Sequence, residues 1–184
     1  MLRRAFTSFV RLAVCLVCCS GALAVGAGAQ PAAGDGAHSL QPRVRSSHAY
    51  IRAMIEEAAR RSATFRRLLE AIDATDGIVY VEQGECRHSV RACLSMSVTP
   101  TAEFRFLRVL VDARQPDWEV MASIGHELRH AMEVLAESSL KTTEAVFLFY
   151  VREGVTMGNT FETPAAIKAG DAVKNEVVSF ARHR

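Results

Sequence analysis

From Ser47 to about Ile72, residues Ile51, Ile55, Ala58, Ser62, Phe65, Leu69 and Ile72 recur at intervals of three or four. That period predicts a helix with one buried stripe. Ser46 or Ser47 can cap it, and Arg60, Arg61, Arg66 and Arg67 fall on its solvated face. Asp76-Gly77 is the turn signal that ends it. The period then changes to two. Ile78–Gln83 is β-branched and aromatic. Cys93–Thr99 alternates Cys93, Ser95 and Ser97 with Leu94, Met96 and Val98. Phe104–Asp112 sets Phe104, Phe106 and Arg108 against Arg105, Leu107, Val109 and Val111. These runs predict three strands, with Gly84 and Pro100 in the segments between them. Helical spacing returns from Asp117 to about Ser138, where Ile124, Leu128, Ala131 and Leu135 form the apolar stripe and Asp117 can cap. Thr142 to about Arg152 predicts a further helix containing Val146, Phe149 and Tyr150. Gly154 and Gly158-Asn159 break the chain, and a last helix runs from Thr160 or Thr163 to Ala181. Pro164 restricts its own place to that helix's first turn. The expectation is an α+β domain, a small antiparallel-type sheet packed with helices.

Before this domain the pattern is different. Arg3, Arg4 and Arg11 precede an apolar run from Leu12 to Val25 that ends in Ala27-Gly28-Ala29. This predicts a signal peptide over 1–29, cleaved near Ala29/Gln30, and export to the periplasm or the extracellular space. The run is short of the roughly 20 apolar residues that a membrane span needs, so no stable span is expected after cleavage. Residues 30–46, with Pro, Gly, Ala and Ser but no periodicity, predict a flexible segment. Residues 47–184 then suit a single domain with one core.

The chain carries 22 Lys+Arg and 20 Asp+Glu. The three leader arginines account for the excess, so the mature chain is near neutral and no nucleic-acid partner is expected. Only Cys86 and Cys93 lie beyond the leader. An oxidising compartment favours a disulfide between them.

The chemistry is concentrated in His126-Glu127-Leu128-Arg129-His130. Residues four apart share a helix face, so the two imidazoles point the same way, as a zinc ion requires. The intervening Glu127 can serve as general base toward a water activated by the metal. His126, His130, Glu133 and Glu137 form a polar stripe distinct from the apolar one. A catalytic zinc needs a third protein ligand. Glu162 is the first choice, because it opens a series of small residues, Ala165, Ala166, Ala169, Gly170 and Val173, that would let two helices approach closely. Its other reading is a first-turn glutamate favoured by the helix dipole. Glu133 is the alternative ligand, or a residue that orients one. Asp171 and Glu176 follow.

With these residues the chain resembles the zincin metallopeptidases, and among them the glutamate-liganded gluzincins, over Ile124 to about Ala172. The metzincin extension is absent, because Glu133 and Ala136 stand where it needs Gly and His. The fuller downstream motifs of thermolysin-like enzymes are absent too. The resemblance implies a minimal zincin core, Zn2+ on His126, His130 and Glu162, and Glu127 as base and proton shuttle. It also implies that Phe104–Asp112 is the sheet-edge strand above the cleft, pairing with an extended peptide or protein substrate. Tyr150 is a candidate for oxyanion stabilisation, with a partly buried core tyrosine as its other reading. Two rival functions stand beside the peptidase. One is a zinc hydrolase of a cell-envelope component, and the other a non-catalytic exported zinc-binding or scaffold domain. No pattern indicates an oligomeric state.

Overall fold

The computed structural model describes residues 41–87, 90–157 and 160–182. The expected leader, residues 1–29, and residues 30–40 lie outside the described residues. The stretch expected as one helix over 47–72 is two helices, α1 (Ala49–Arg61) and α2 (Ala63–Asp73). Ser62 divides them. Its backbone is extended, and its hydroxyl oxygen accepts from Phe65 N at 2.9 Å, capping α2. The apolar spacing continues across the break because Ile51, Ile55, Ala58, Phe65 and Ile72 all reach the same core.

Strand β2 (Gly77–Gln83) follows, and it pairs with two parallel neighbours. One is β1 (Val44–Arg45), which lies in the segment expected to be flexible. Val44 is buried there, so ordered structure begins earlier than the composition suggested. The other is β5 (Arg105–Val111), paired from Gly77↔Arg105 to Gln83↔Val111. The expected Cys93–Thr99 strand is two short pieces, β3 (Ala92–Leu94) and β4 (Thr99–Pro100), both antiparallel to β5. The domain is α+β, but the sheet is mixed, not antiparallel. A period of two records which face is buried and carries no strand direction. Nor is Phe104–Asp112 an edge. β5 has β2 on one side and β3 and β4 on the other, so the edge on that side belongs to β3 and β4.

Helix α3 (Asp117–Ala136) buries Val120, Met121, Ile124, Leu128, Ala131, Val134 and Leu135. Its C-terminus is closed by Arg105, which shares the buried face of β5 with Leu107, Val109 and Val111. At 2% exposure, Arg105 donates to the carbonyls of Val134, Leu135, Glu137 and Leu140 and pairs with Asp76. The last carbonyls of a helix have no partner within it; here one guanidinium satisfies several. Its hydrogen bonds hold the Asp76 carboxyl below the usual range.

Helix α4 (Thr143–Glu153) is capped by Thr142, whose Oγ1 accepts from Ala145 N. The sequence indicated only a break next, but a hairpin follows: β6 (Val155–Met157) and β7 (Thr160–Glu162). Helix α5 (Pro164–Arg182) begins at Pro164, with Thr163 Oγ1 accepting from Ala166 N. Helices α3 and α5 cross closely, and the small-residue stripe is what permits it. A Cβ on Gly125 would stand 2.8 Å from Val173 Cγ2, and one on Gly170 would stand 3.1 Å from His126 Cβ. Cys86 and Cys93 form the expected disulfide. It joins the loop after β2 to β3. No helix among the described residues is long and apolar enough to cross a membrane.

Candidate metal centre

His126 and His130 project from one face of α3, and Glu162 reaches them from the end of β7. Glu162 therefore sits on a strand, one residue before the α5 cap Thr163, and not in a helical first turn. His126 Nε2 is 2.9 Å from Glu162 Oε2, and His130 Nε2 is 3.5 Å from the same oxygen. The three ligand-type atoms lie within 4.8 Å of one another. Donors held about 2.0–2.1 Å from a tetrahedral zinc are roughly 3.3 Å apart. The two distances to Glu162 bracket that spacing. Glu162 Oε2 is also buried and makes no well-directed hydrogen bond, close as both rings are. An orphaned anionic oxygen facing two imidazole nitrogens suits a shared cation.

The electrostatics agree. His126 and His130 beside Glu162 pull its carboxyl down to about 2 against the opposing effect of burial. Burial alone would lower His130, but the Glu133 carboxylate on its Nδ1 and the nearby carboxylates of Glu162 and Glu127 outweigh it and lift the ring to about 9. The pocket stabilises positive charge at the point where the three side chains converge.

Glu133 lies outside the converging group, and its oxygens go to other partners. Its Oε2 is 3.2 Å from His130 Nδ1, while its Oε1 accepts from Thr163 Oγ1 at 2.8 Å and lies 3.3 Å from Arg129 Nε. A carboxylate on Nδ1–H directs the other ring nitrogen toward the shared point. Burial raises Glu133, yet the bonds to His130 and Thr163 bring its carboxyl below the usual range. Glu176 lies elsewhere. It accepts from Ser62 Oγ, Thr64 N and Thr64 Oγ1 and pins the corner between α1 and α2. Asp171 lines the groove beside the cluster without joining it. Tyr150 is a core residue. Its hydroxyl donates to the His130 carbonyl at 3.1 Å, and its ring meets that of His130 edge-on at 5.5 Å.

Glu127 is 6% exposed, and its Oε2 accepts from Leu94 N at 2.7 Å. Burial raises its pKa, opposed by His130, His126 and the Leu94 amide. The Leu94 contact follows from the register of β3. Arg91 and Ser95 exchange backbone bonds with β5, through Asp112 N to Arg91 O and Ser95 N to Arg108 O, so the alternate residues Ala92 and Leu94 face away. Leu94 N–H thus reaches Glu127, and Ala92 borders the groove.

That groove, about 540 Å³, runs between β3 and α5 with the first half of α3 as its floor; His126, Glu127 and Glu162 line it. Sequence reading missed Leu94, because a backbone amide carries no signature. It offered Thr163 as a possible start of the last helix but not as a partner of Glu133. No family model matches the sequence, and neither a curated protein nor a solved structure matches the chain.

Proposed function

We propose that the protein is an exported zinc-dependent hydrolase of peptide bonds, with His126, His130 and Glu162 as zinc ligands and Glu127 as general base. The observation that carries this reading is the convergence of His126 Nε2, His130 Nε2 and the orphaned Glu162 Oε2 beside a groove that Glu127 also lines. Zinc, when bound, supplies Lewis acidity toward water and a substrate carbonyl. The chain's own residues do the rest. Leu94 N–H holds one oxygen of Glu127, and no hydrogen bond among the described residues reaches the other. That second oxygen takes the proton of the attacking water and passes it to the leaving amine. Burial raises the basicity of Glu127, as this proton transfer needs. Glu133 keeps His130 in register, and the free edge of β3 at Ala92 offers backbone groups to an extended peptide. The Cys86–Cys93 disulfide supports residence in an oxidising compartment.

The test is zinc content together with cleavage of a broad peptide library. One zinc per chain, cleavage lost in Glu127→Ala with zinc retained, and zinc lost in Glu162→Ala are expected. Zinc without cleavage would move the reading to an envelope component or a binding role. Failure to bind zinc under metal-replete conditions would remove it.

A further inference from the structure

Beyond the cluster the groove follows α3 toward its N-terminus. Trp118 lines it eight residues before His126, about 12 Å away at the helical rise of 1.5 Å per residue. Lys174 of α5 stands over Trp118, with Nζ 4.7 Å from the ring centroid. The other charges on the walls are Arg91, Glu119 and Asp171. Arg91 is ion-paired with Glu119. Asp171 is three residues before Lys174 on the same helix, a spacing that permits pairing. Even so, the ammonium lies on the indole, and no ion pair among the described residues reaches it.

A ring face attracts a cation through its quadrupole but leaves most of the three ammonium N–H donors unused. Trp118 therefore gives this exposed charge a seat on the groove wall, which also borders a second hollow beside Arg61 and Val177, and leaves its donors open to a ligand. An extended peptide advances about 3.2–3.4 Å per residue. A chain reacting beside Glu127 would bring its third or fourth residue from that bond to Lys174.

We propose that Lys174, seated on Trp118, is a specificity-determining residue that receives a substrate carboxylate three to four residues from the reacting bond. The inference rests on the peptidase reading for the class of substrate. The carboxylate is either an Asp or Glu side chain or the free C-terminus of a short peptide, and both present the same group.

Trp118 is the only tryptophan in the chain, so its fluorescence reports the groove without turnover. The experiment titrates zinc-supplemented Glu127→Gln protein with acetylated short peptides in two matched pairs. One pair has a free or an amidated C-terminus. The other is amidated and carries Glu or Gln at the third or fourth residue. A saturable change in emission is expected, with one carboxylate form bound roughly three- to tenfold more tightly than its neutral partner, the range for a charge-assisted bond in a partly screened groove. The pair that shows the preference identifies the source of the carboxylate. The preference should vanish in Lys174→Gln and persist in Lys174→Arg. Equal binding within both pairs, absence of any response, or a preference that survives Lys174→Gln would overturn the proposal. A Lys174-dependent preference in a protein that cleaves no peptide would uphold this site and remove the peptidase reading. Cleavage without the preference would do the reverse.

Discussion

The two ends of α3 are built on opposite terms. At its C-terminus, buried Arg105 joins four backbone carbonyls to Asp76, whose carboxylate reaches the surface. At its N-terminal half, Trp118, Glu119 and Ser123 line an open groove, and the neighbouring Lys174 is exposed. His126, Glu127 and His130 lie between. Rigidity is supplied from one end and access from the other. A buried polar network tolerates little loss, because each stranded group is left without water. A solvated wall can exchange partners at small cost.

The sharpest way to separate the two ends is to disable the chemistry and the anchor independently. Glu127→Gln should lower kcat by roughly 10²–10⁴, the usual contribution of a general base, with no fall in melting temperature. A comparable loss of stability would mean that Glu127 belongs to the structural end. Arg105→Ala should cost about 3 kcal/mol, because the carbonyls it serves at the end of α3 lose their donor while Asp76 remains partly in water. Denaturant unfolding reads this directly. Wild-type stability in that variant would break the contrast.

The middle of the helix should show itself in pH dependence. In chelator-treated protein, Glu162 lies below its ordinary 4.5, at about 2, so its contribution is present above pH 4.5 and is lost as pH falls toward 2. His130 is raised from 6.5 to about 9, so its contribution is full below pH 6.5 and fades as pH rises through 9. Thermal melts across pH should therefore decline on both sides. Saturating zinc should abolish the alkaline decline, because a ligating imidazole is neutral. An alkaline limb unchanged by zinc would place His130 outside the metal site.

Two smaller effects probe the groove walls. Replacing both Cys86 and Cys93 with Ser should cost about 2–3 kcal/mol from the loop-closure entropy of a short loop. It should also lower activity, because Cys93 adjoins Leu94, whose amide holds Glu127. Full activity at reduced stability would show that the Leu94 contact does not depend on the disulfide. Gly170→Ala should weaken zinc binding, since the added Cβ meets His126 Cβ at 3.1 Å, while a helix-propensity gain of about 1 kcal/mol offsets the crowding in overall stability. Zinc competition against a chromogenic chelator would detect the shift, and unchanged affinity would show that His126 adjusts freely.

Periodicity sufficed for much of the fold and for part of the site. Burial along a helix repeats every three to four residues whatever packs against it, so the stripe of Ile124, Leu128, Ala131 and Leu135 was legible in isolation. So were the shared face of His126 and His130 and the small residues of α5 that let α3 approach. The approach of Glu162 to the histidines was legible because the small residues after it let two helices come close, although its position on β7 was not. The pairing of Cys86 with Cys93 followed from there being no other cysteine after Cys19.

What remained was decided by contacts that the residue letters do not encode. Alternation identifies a strand's buried face but not its direction, so the parallel pairing of β2 with β5 was invisible, and with it the identity of the edge strand. Glu133 and Glu162 are the same residue type near the same histidines. Only the approach of Thr163 and His130 Nδ1 to Glu133 separates their roles. The Leu94 amide resembles every other amide until β3 turns it toward Glu127. Arg105 reads as one member of an alternating strand until the end of α3 closes over it. Sequence thus set the faces and the reactive groups, because those depend on side-chain type and spacing. The tertiary structure chose the partners, because hydrogen-bond pairing depends on direction and distance.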